Sequence, residues 1–288
     1  MRRQRIGDKM TAPAGGAKTP EAAVDDYPEP VKRLLTLGEP DPDRWPDHRA
    51  MGLGPEHVPD LIRLATDPVR YREGEEGPEI WGPVQAWYAL GQLRAAEAVP
   101  PLLNLLNELE EIGDDRAFED LPTVLARIGL PALPALKAFL AASSGCLYAL
   151  AAAVEGMVRL AQEHPEARAE VVAALTERLE HAAENDPSLN GFLLSALLDL
   201  KAVESAPVIR RACEAALVDE SIAGGWPEAE HELGLTDKPP PRRRFDYGLP
   251  PLGGLRPPTP RKKAEERKEK RRMAAESRKR NRKKKKKR

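Results

Sequence analysis

The densest chemistry in this sequence is cationic. Arg271, Arg272, Arg278, Lys279, Arg280, Arg282, Lys283, Lys284, Lys285, Lys286, Lys287 and Arg288 all stand within its last 18 positions. Such a run neutralises phosphate backbones and releases their condensed counterions, which makes it a candidate nucleic-acid-binding arm that reads charge rather than base sequence. Its lysines act as point charges, whereas Arg271, Arg272, Arg278 and Arg280 can fork onto phosphate oxygens. No aromatic residue is interleaved for base stacking, which argues against specific single-strand recognition.

Other reactive residue types are scattered. His48, His57, His164, His181 and His231 show no pairing at helical spacing, and Cys146 and Cys213 lie far apart, so no metal constellation, disulfide framework or cofactor is expected. Carboxylates cluster at Glu73 to Glu79 and at Glu108 to Asp115. Both clusters flank glycine, and surface loops account for them more simply than acid–base catalysis. Trp81, Trp87 and Tyr88, with Ile80 and Val84, are spaced as the core face of one helix rather than as a ligand groove. His164 before Pro165 reads as a helix junction, and Trp226 before Pro227 as a cap on the last helical unit. No catalytic residue is expected.

Charge divides the chain. The 52 residues from Asp237 carry 23 Lys/Arg against 6 Asp/Glu, which leaves 22 basic and 40 acidic residues upstream, although the whole chain sums to −1. A basic arm of about +17 therefore follows an acidic body of about −18. The arm suits polyanions; the body does not.

The elements that position these groups are helical. Hydrophobic residues make up 41% of the chain and aromatics only 5%, so a core of Leu, Ala and Val favours packed helices over a sandwich or barrel. Residues 1–26 are poor in large apolar side chains and are expected to be disordered. From residue 27 to 236 apolar residues recur at helical spacing in short blocks bounded by proline and glycine. Pro30 opens a helix bearing Val31, Leu34 and Leu35, which Gly38 ends. Asp186-Pro187 forms an N-cap and first-turn proline before the run Leu189 to Leu200. After Pro165, the residues Val171, Val172, Leu175 and Leu179 form one apolar stripe. Residues 237–260 read as a Pro/Gly-rich linker and residues 261–288 as a disordered or transiently helical tail. With no leader pattern and no long apolar segment, the sequence reads as that of a cytoplasmic protein.

The blocks repeat. LGQLRAAEAVPPL from Leu90 aligns without gaps on LLDLKAVESAPVI from Leu197, pairing Leu93 with Leu200, Arg94 with Lys201, Glu97 with Glu204 and Pro100 with Pro207. A partial third copy from Ala126 places Gly129 at the position of Gly91. Periods of roughly 35 to 40 residues are those of stacked two-helix units. The pattern from Ala89 to Leu102 resembles HEAT-like repeats of armadillo-type solenoids, and Asn185 to Leu235 resembles the end of an uncharacterised bacterial HEAT-like family. That resemblance implies an all-α, right-handed α-solenoid. Some relatives continue into a SEC-C zinc motif, but no cysteine follows Cys213, so no zinc is inherited.

The expected function is a non-catalytic scaffold or adaptor whose acidic body binds protein partners while the tail holds RNA, DNA or ribosomes. Membrane association is disfavoured, because the tail has no apolar stripe. Competing readings are a HEAT-like enzyme of the bilin lyase or DNA glycosylase type, and a tail that only solubilises or folds back on the body. A net charge of about −18 opposes the glycosylase, which needs a basic groove.

Overall fold

A computed structural model describes residues 27–42, 44–68, 77–112, 115–142 and 145–240. The expectations for residues 1–26, for the tail 261–288 and for the linker beyond Pro240 lie outside these residues, as does each tail cation named above.

Among the described residues the fold is all-α, with no strand. The α-helices are α1 (Val58–Ala65), α2 (Gly82–Leu93), α3 (Val99–Ile112), α4 (Asp115–Ile128), α5 (Leu133–Ala141), α6 (Leu147–Glu163), α7 (Arg168–Glu180), α8 (Pro187–Asp199), α9 (Ala206–Glu214), α10 (Glu220–Ala223) and α11 (Trp226–Glu232). Short 3-10 turns join α2 to α3, α4 to α5, α6 to α7 and α8 to α9. The residues that open these turns, Ala95, Gly129, His164 and Ala202, are 34, 35 and 38 positions apart. Four helix pairs thus repeat at the spacing the sequence predicts.

The pairs stack in two layers. The first helices, α2, α4, α6 and α8, pack in succession, and so do the second helices, α3, α5, α7 and α9. Each layer buries its apolar stripe against the other, so one continuous core runs through the stack, from Tyr27 and Val31 to Leu233. Apolar burial of this kind stabilises by roughly 25 cal/mol per Å². At the far end α10 packs on α8, and α11 on α9 and α8. At the near end α1 and the 3-10 segment Val31–Thr36 pack on α2. That segment is 3-10 rather than α-helical: Val31, Leu34 and Leu35 are still buried, and Gly38 takes φ +71 just beyond it.

Local sequence chemistry accounts for the boundaries. The Asp186 side chain accepts from Ser188 N–H at 2.8 Å while Pro187 occupies the first turn of α8. Val171, Val172, Leu175 and Leu179 are all buried on α7. The aligned turns match bond for bond. Arg94 N–H donates to Gly91 C=O and Ala95 N–H to Leu90 C=O, as Lys201 N–H does to Leu198 C=O and Ala202 N–H to Leu197 C=O.

The third copy is out of register with the sequence alignment. Gly129, at φ +85, opens the 3-10 turn after α4 and corresponds to Ala95, not Gly91. A left-handed backbone explains the glycine at 129. Gly91 lies inside α2, where an added Cβ would approach Trp45 Cζ3 to 3.3 Å and Arg127 Cβ to 3.5 Å. Its role is close approach.

A second correction concerns the acidic cluster from Glu108. Glu108 and Glu110 are on α3, not in a loop, and the Glu110 carboxylate accepts from Tyr148 N–H at 3.0 Å and Ala149 N–H at 3.1 Å. It caps the first turn of α6, where a negative charge suits the helix dipole. Of the other acidic cluster, residues 73–76 lie outside the described set.

No single helix among the described residues is long and apolar enough to cross a membrane; one bent pair, Arg116–Ile128 with Leu130–Ala141 at 111°, meets that test only jointly.

Candidate functional site

The residues singled out for chemistry are not brought together. Among the described residues no group of His, Cys, Asp and Glu could hold a metal. Cys146 is half-buried and Cys213 buried, and among the described residues neither forms a disulfide. His164 sits at the α6–α7 junction. Trp87 and Tyr88 are fully buried, as a core reading requires. Trp226 begins α11 with Arg210 5.6 Å from its ring centroid, at the closing end of the stack.

What the fold assembles instead is a polar seam between α2 and the segment that covers it. The segment from Gly38 to Gly54 lies along this helix. Gln85 Nε2 donates to Gly38 C=O at 3.0 Å, so its Oε1 accepts from His48 Nε2 at 3.1 Å. His48 N–H donates to Gln92 Oε1 at 3.0 Å, Gln92 Nε2 donates to Pro46 C=O at 2.7 Å, and Arg49 donates to Gln92 C=O at 2.5 Å. Trp45 stacks on Tyr88 with centroids 4.3 Å apart and planes 5° from parallel. The two glutamines therefore act as main-chain surrogates, pairing an irregular, turn-rich segment with a helix.

The seam continues to α4. Tyr88 Oη donates to Asp120 at 2.8 Å, Arg116 Nε donates to the same oxygen at 3.1 Å, and Arg116 reaches Glu39 at 2.9 Å and Pro40 C=O at 3.2 Å. Its guanidinium also lies 4.7 Å from the Trp81 ring centroid. Burial, and then the Asp120 carboxylate, push the Tyr88 phenol well above its ordinary value. Burial pulls the other way on Arg116, yet its bonds to Glu39, Tyr88 and Asp120 hold it more firmly protonated than usual. One arginine thus ties α4 to α2 and to the preceding segment through the Asp120 and Glu39 carboxylates. Burial lowers His48 below its ordinary 6.5, and its Nδ1 has no hydrogen-bond partner.

Beside the seam opens a groove of about 600 Å³, lined by Trp45, Asp47, Arg49, Gly91, Gln92, Arg94, Thr123, Arg127, Glu163 and His164, with Pro42 at its edge. It lies at the C-terminal ends of α2, α4 and α6. Gly91 lets Trp45 and α4 close in, and a Cβ at Gly129 would stand 3.2 Å from His164 Nε2. Arg94 itself adopts φ +56, a left-handed conformation that costs a non-glycine residue about 1 kcal/mol. Three arginines here are unusual in so acidic a body. Sequence reading passed over the groove, although the pairing of Arg94 with Lys201 in the repeat alignment was its one visible signal.

A second surface lies across α4, α6 and α8. Tyr148 is 55% exposed and makes edge-to-face contacts with Phe118 at 6.3 Å and Phe192 at 6.5 Å. Three consecutive repeats thus share an open aromatic row. The positions on α2 that align with Phe192, Ser195 and Asp199 of α8 are Gln85, Tyr88 and Gln92, and there the Gly38–Gly54 segment supplies the cover.

A family model described as "Protein of unknown function (DUF1186)" matches residues 58–227, from the first residue of α1 into α11. No curated protein and no solved structure matches.

Proposed function

We propose, for a chain that belongs to this family of unknown function (DUF1186), a non-catalytic scaffold or adaptor of the HEAT-like, armadillo type, working in the cytoplasm. The acidic repeat body binds protein partners, and the basic arm from Asp237 holds the protein near RNA, DNA or ribosomes.

One observation carries the partner-binding reading: the row Phe118, Tyr148, Phe192, with Tyr148 more than half exposed. Aromatic side chains that are rigid and half-open are the usual anchors of protein interfaces, because they bury large area at little entropic cost. Gln85, the α2 residue aligned with Phe192, lies under the preceding segment, whereas Phe192 on α8 stays half-open beside Tyr148, so the row presents a face that a partner can cover. The arm is supported by its charge: 23 Lys/Arg against 6 Asp/Glu favours phosphate backbones.

Two measurements test the two halves separately. Immobilised full-length protein and its Tyr148→Asp variant are compared for the proteins they retain from a cell extract. Loss of specific captures in the variant is expected, and an unchanged set at unchanged yield overturns the partner surface. Single-stranded RNA affinity of the full chain and of the chain cut after Thr236 is followed across salt. A log–log slope near −3.5, for about five phosphate contacts, is expected only with the arm present. Retained affinity after the cut overturns the arm's role.

A further inference from the structure

The aligned ends of α2 and α8 differ in one respect. At both, the helix stops on a basic residue in the left-handed conformation, Arg94 at φ +56 and Lys201 at φ +49, with the same two backbone hydrogen bonds closing the turn. An arginine also holds helix-end carbonyls at each: Arg49 takes Gln92 C=O, and Arg168 takes Leu200 C=O and Lys201 C=O. The Lys201 ammonium is bonded to the Glu232 carboxylate and lies 3.3 Å from the Glu232 C=O on α11. The guanidiniums of Arg94 and Arg127 make no hydrogen bond or ion pair with any described residue, and both line the groove. The C-terminal ends of α2 and α8 both favour a cation through the helix dipole, but Lys201 enjoys that too and still takes a carboxylate.

We propose that the groove between α2, α4 and α6 is a docking site for an acidic peptide segment, whose carboxylate is received by Arg94 and Arg127 as Glu232 is received by Lys201. This rests on the protein-binding reading above and names the chemistry of one partner. The molecule contains the occupied version of the site at its other end: a glutamate side chain, presented by a peptide that also offers a main-chain carbonyl. A guanidinium in place of an ammonium gives the open version a fork, the geometry that suits carboxylate best. Trp45 supplies an apolar wall for the side-chain stem. Asp47 and Glu163, which also line the groove, repel a second negative charge and restrict where the peptide's carboxylate can sit.

The test uses the full chain and a labelled Glu-rich octapeptide at 0.15 M salt, a concentration of order the physiological one that screens loose attraction to the arm. Arg94→Gly is the informative substitution, since glycine suits the left-handed position and the turn is kept. Combined with Arg127→Gln, it is expected to weaken peptide binding about tenfold, the effect of losing two exposed charge pairs. Lys201→Gly leaves affinity unchanged. Equal affinity of wild type and the Arg94→Gly/Arg127→Gln variant overturns the groove, while the Tyr148 comparison still judges the scaffold reading on its own. Inorganic phosphate that displaces the peptide at equal potency, or a Gln-rich octapeptide that binds as well, overturns the assignment to acidic peptide.

Discussion

The ends of α2 and α8 share a backbone and differ in what surrounds it. At the end of α8 the polar groups are answered from within the repeat stack: Arg168 holds the helix-end carbonyls and Glu204, and α11 brings Glu232 to Lys201. Around α2 the cover comes from the segment that precedes the repeats, held by Gln85, Gln92 and the Trp45–Tyr88 stack, and it stops short of Arg94. A terminal repeat must close its core against water. Here one end closes with α10 and α11, and the other with α1, the 3-10 segment Val31–Thr36 and a turn-rich strap that leaves a basic groove beside it.

The largest expected contrast follows from the strap. Trp45→Ala removes a stacked aromatic and should cost about 3 kcal/mol in urea denaturation, whereas Phe192→Ala on the open face of α8 should cost about 1 kcal/mol. Comparable losses would mean that the two faces are equally buried in solution. Next in size is Arg116→Met, which leaves the buried Asp120 with only the Tyr88 hydroxyl. Stability should fall by about 2 kcal/mol, against less than 1 for Arg168→Met, whose partner Glu204 is exposed.

Acid should weaken the α2 end selectively. Burial holds the His48 imidazole below its ordinary 6.5, so the unfolded chain takes up that proton first as pH falls. His48 therefore contributes fully above about pH 6.5, and its contribution declines below that until the folded imidazole protonates. The slope is at most about 1.4 kcal/mol per pH unit for the one group. Urea midpoints measured from pH 7.5 to 5 should drop in the wild type and lose that component in His48→Gln. The smallest effect sharpens the comparison most. Arg94→Gly should raise stability by up to about 1 kcal/mol, because the left-handed turn favours glycine, while Lys201→Gly should gain less for losing Glu232. Differential scanning calorimetry resolves the two.

Much of the scaffold was readable in the sequence because its rules are local. Asp186-Pro187 sets a cap, the α7 stripe follows helical spacing, and the copies from Leu90 and Leu197 share turn chemistry residue for residue. Gly129 misled the alignment because glycine serves two purposes here, a left-handed turn at 129 and close packing at 91, and only φ and the neighbours tell them apart. Glu110 looked like loop because its partners, the N–H groups of Tyr148 and Ala149, lie 38 and 39 residues away. The strap was invisible for the same reason. Its bonds to α2 span 37 to 47 residues and follow no period. Arg94 stands beside Lys201 in the alignment, but what distinguishes them is that α11 reaches one and no described residue reaches the guanidinium of the other.

The most direct test of that difference is the arginine side-chain Nε–H spectrum of the 15N-labelled full chain during titration with the Glu-rich octapeptide. Saturable shifts of the Arg94 and Arg127 signals, abolished for the first by Arg94→Gly, are the predicted result. Shifts confined to arginines beyond Asp237, with Arg94 and Arg127 unmoved, would contradict the account.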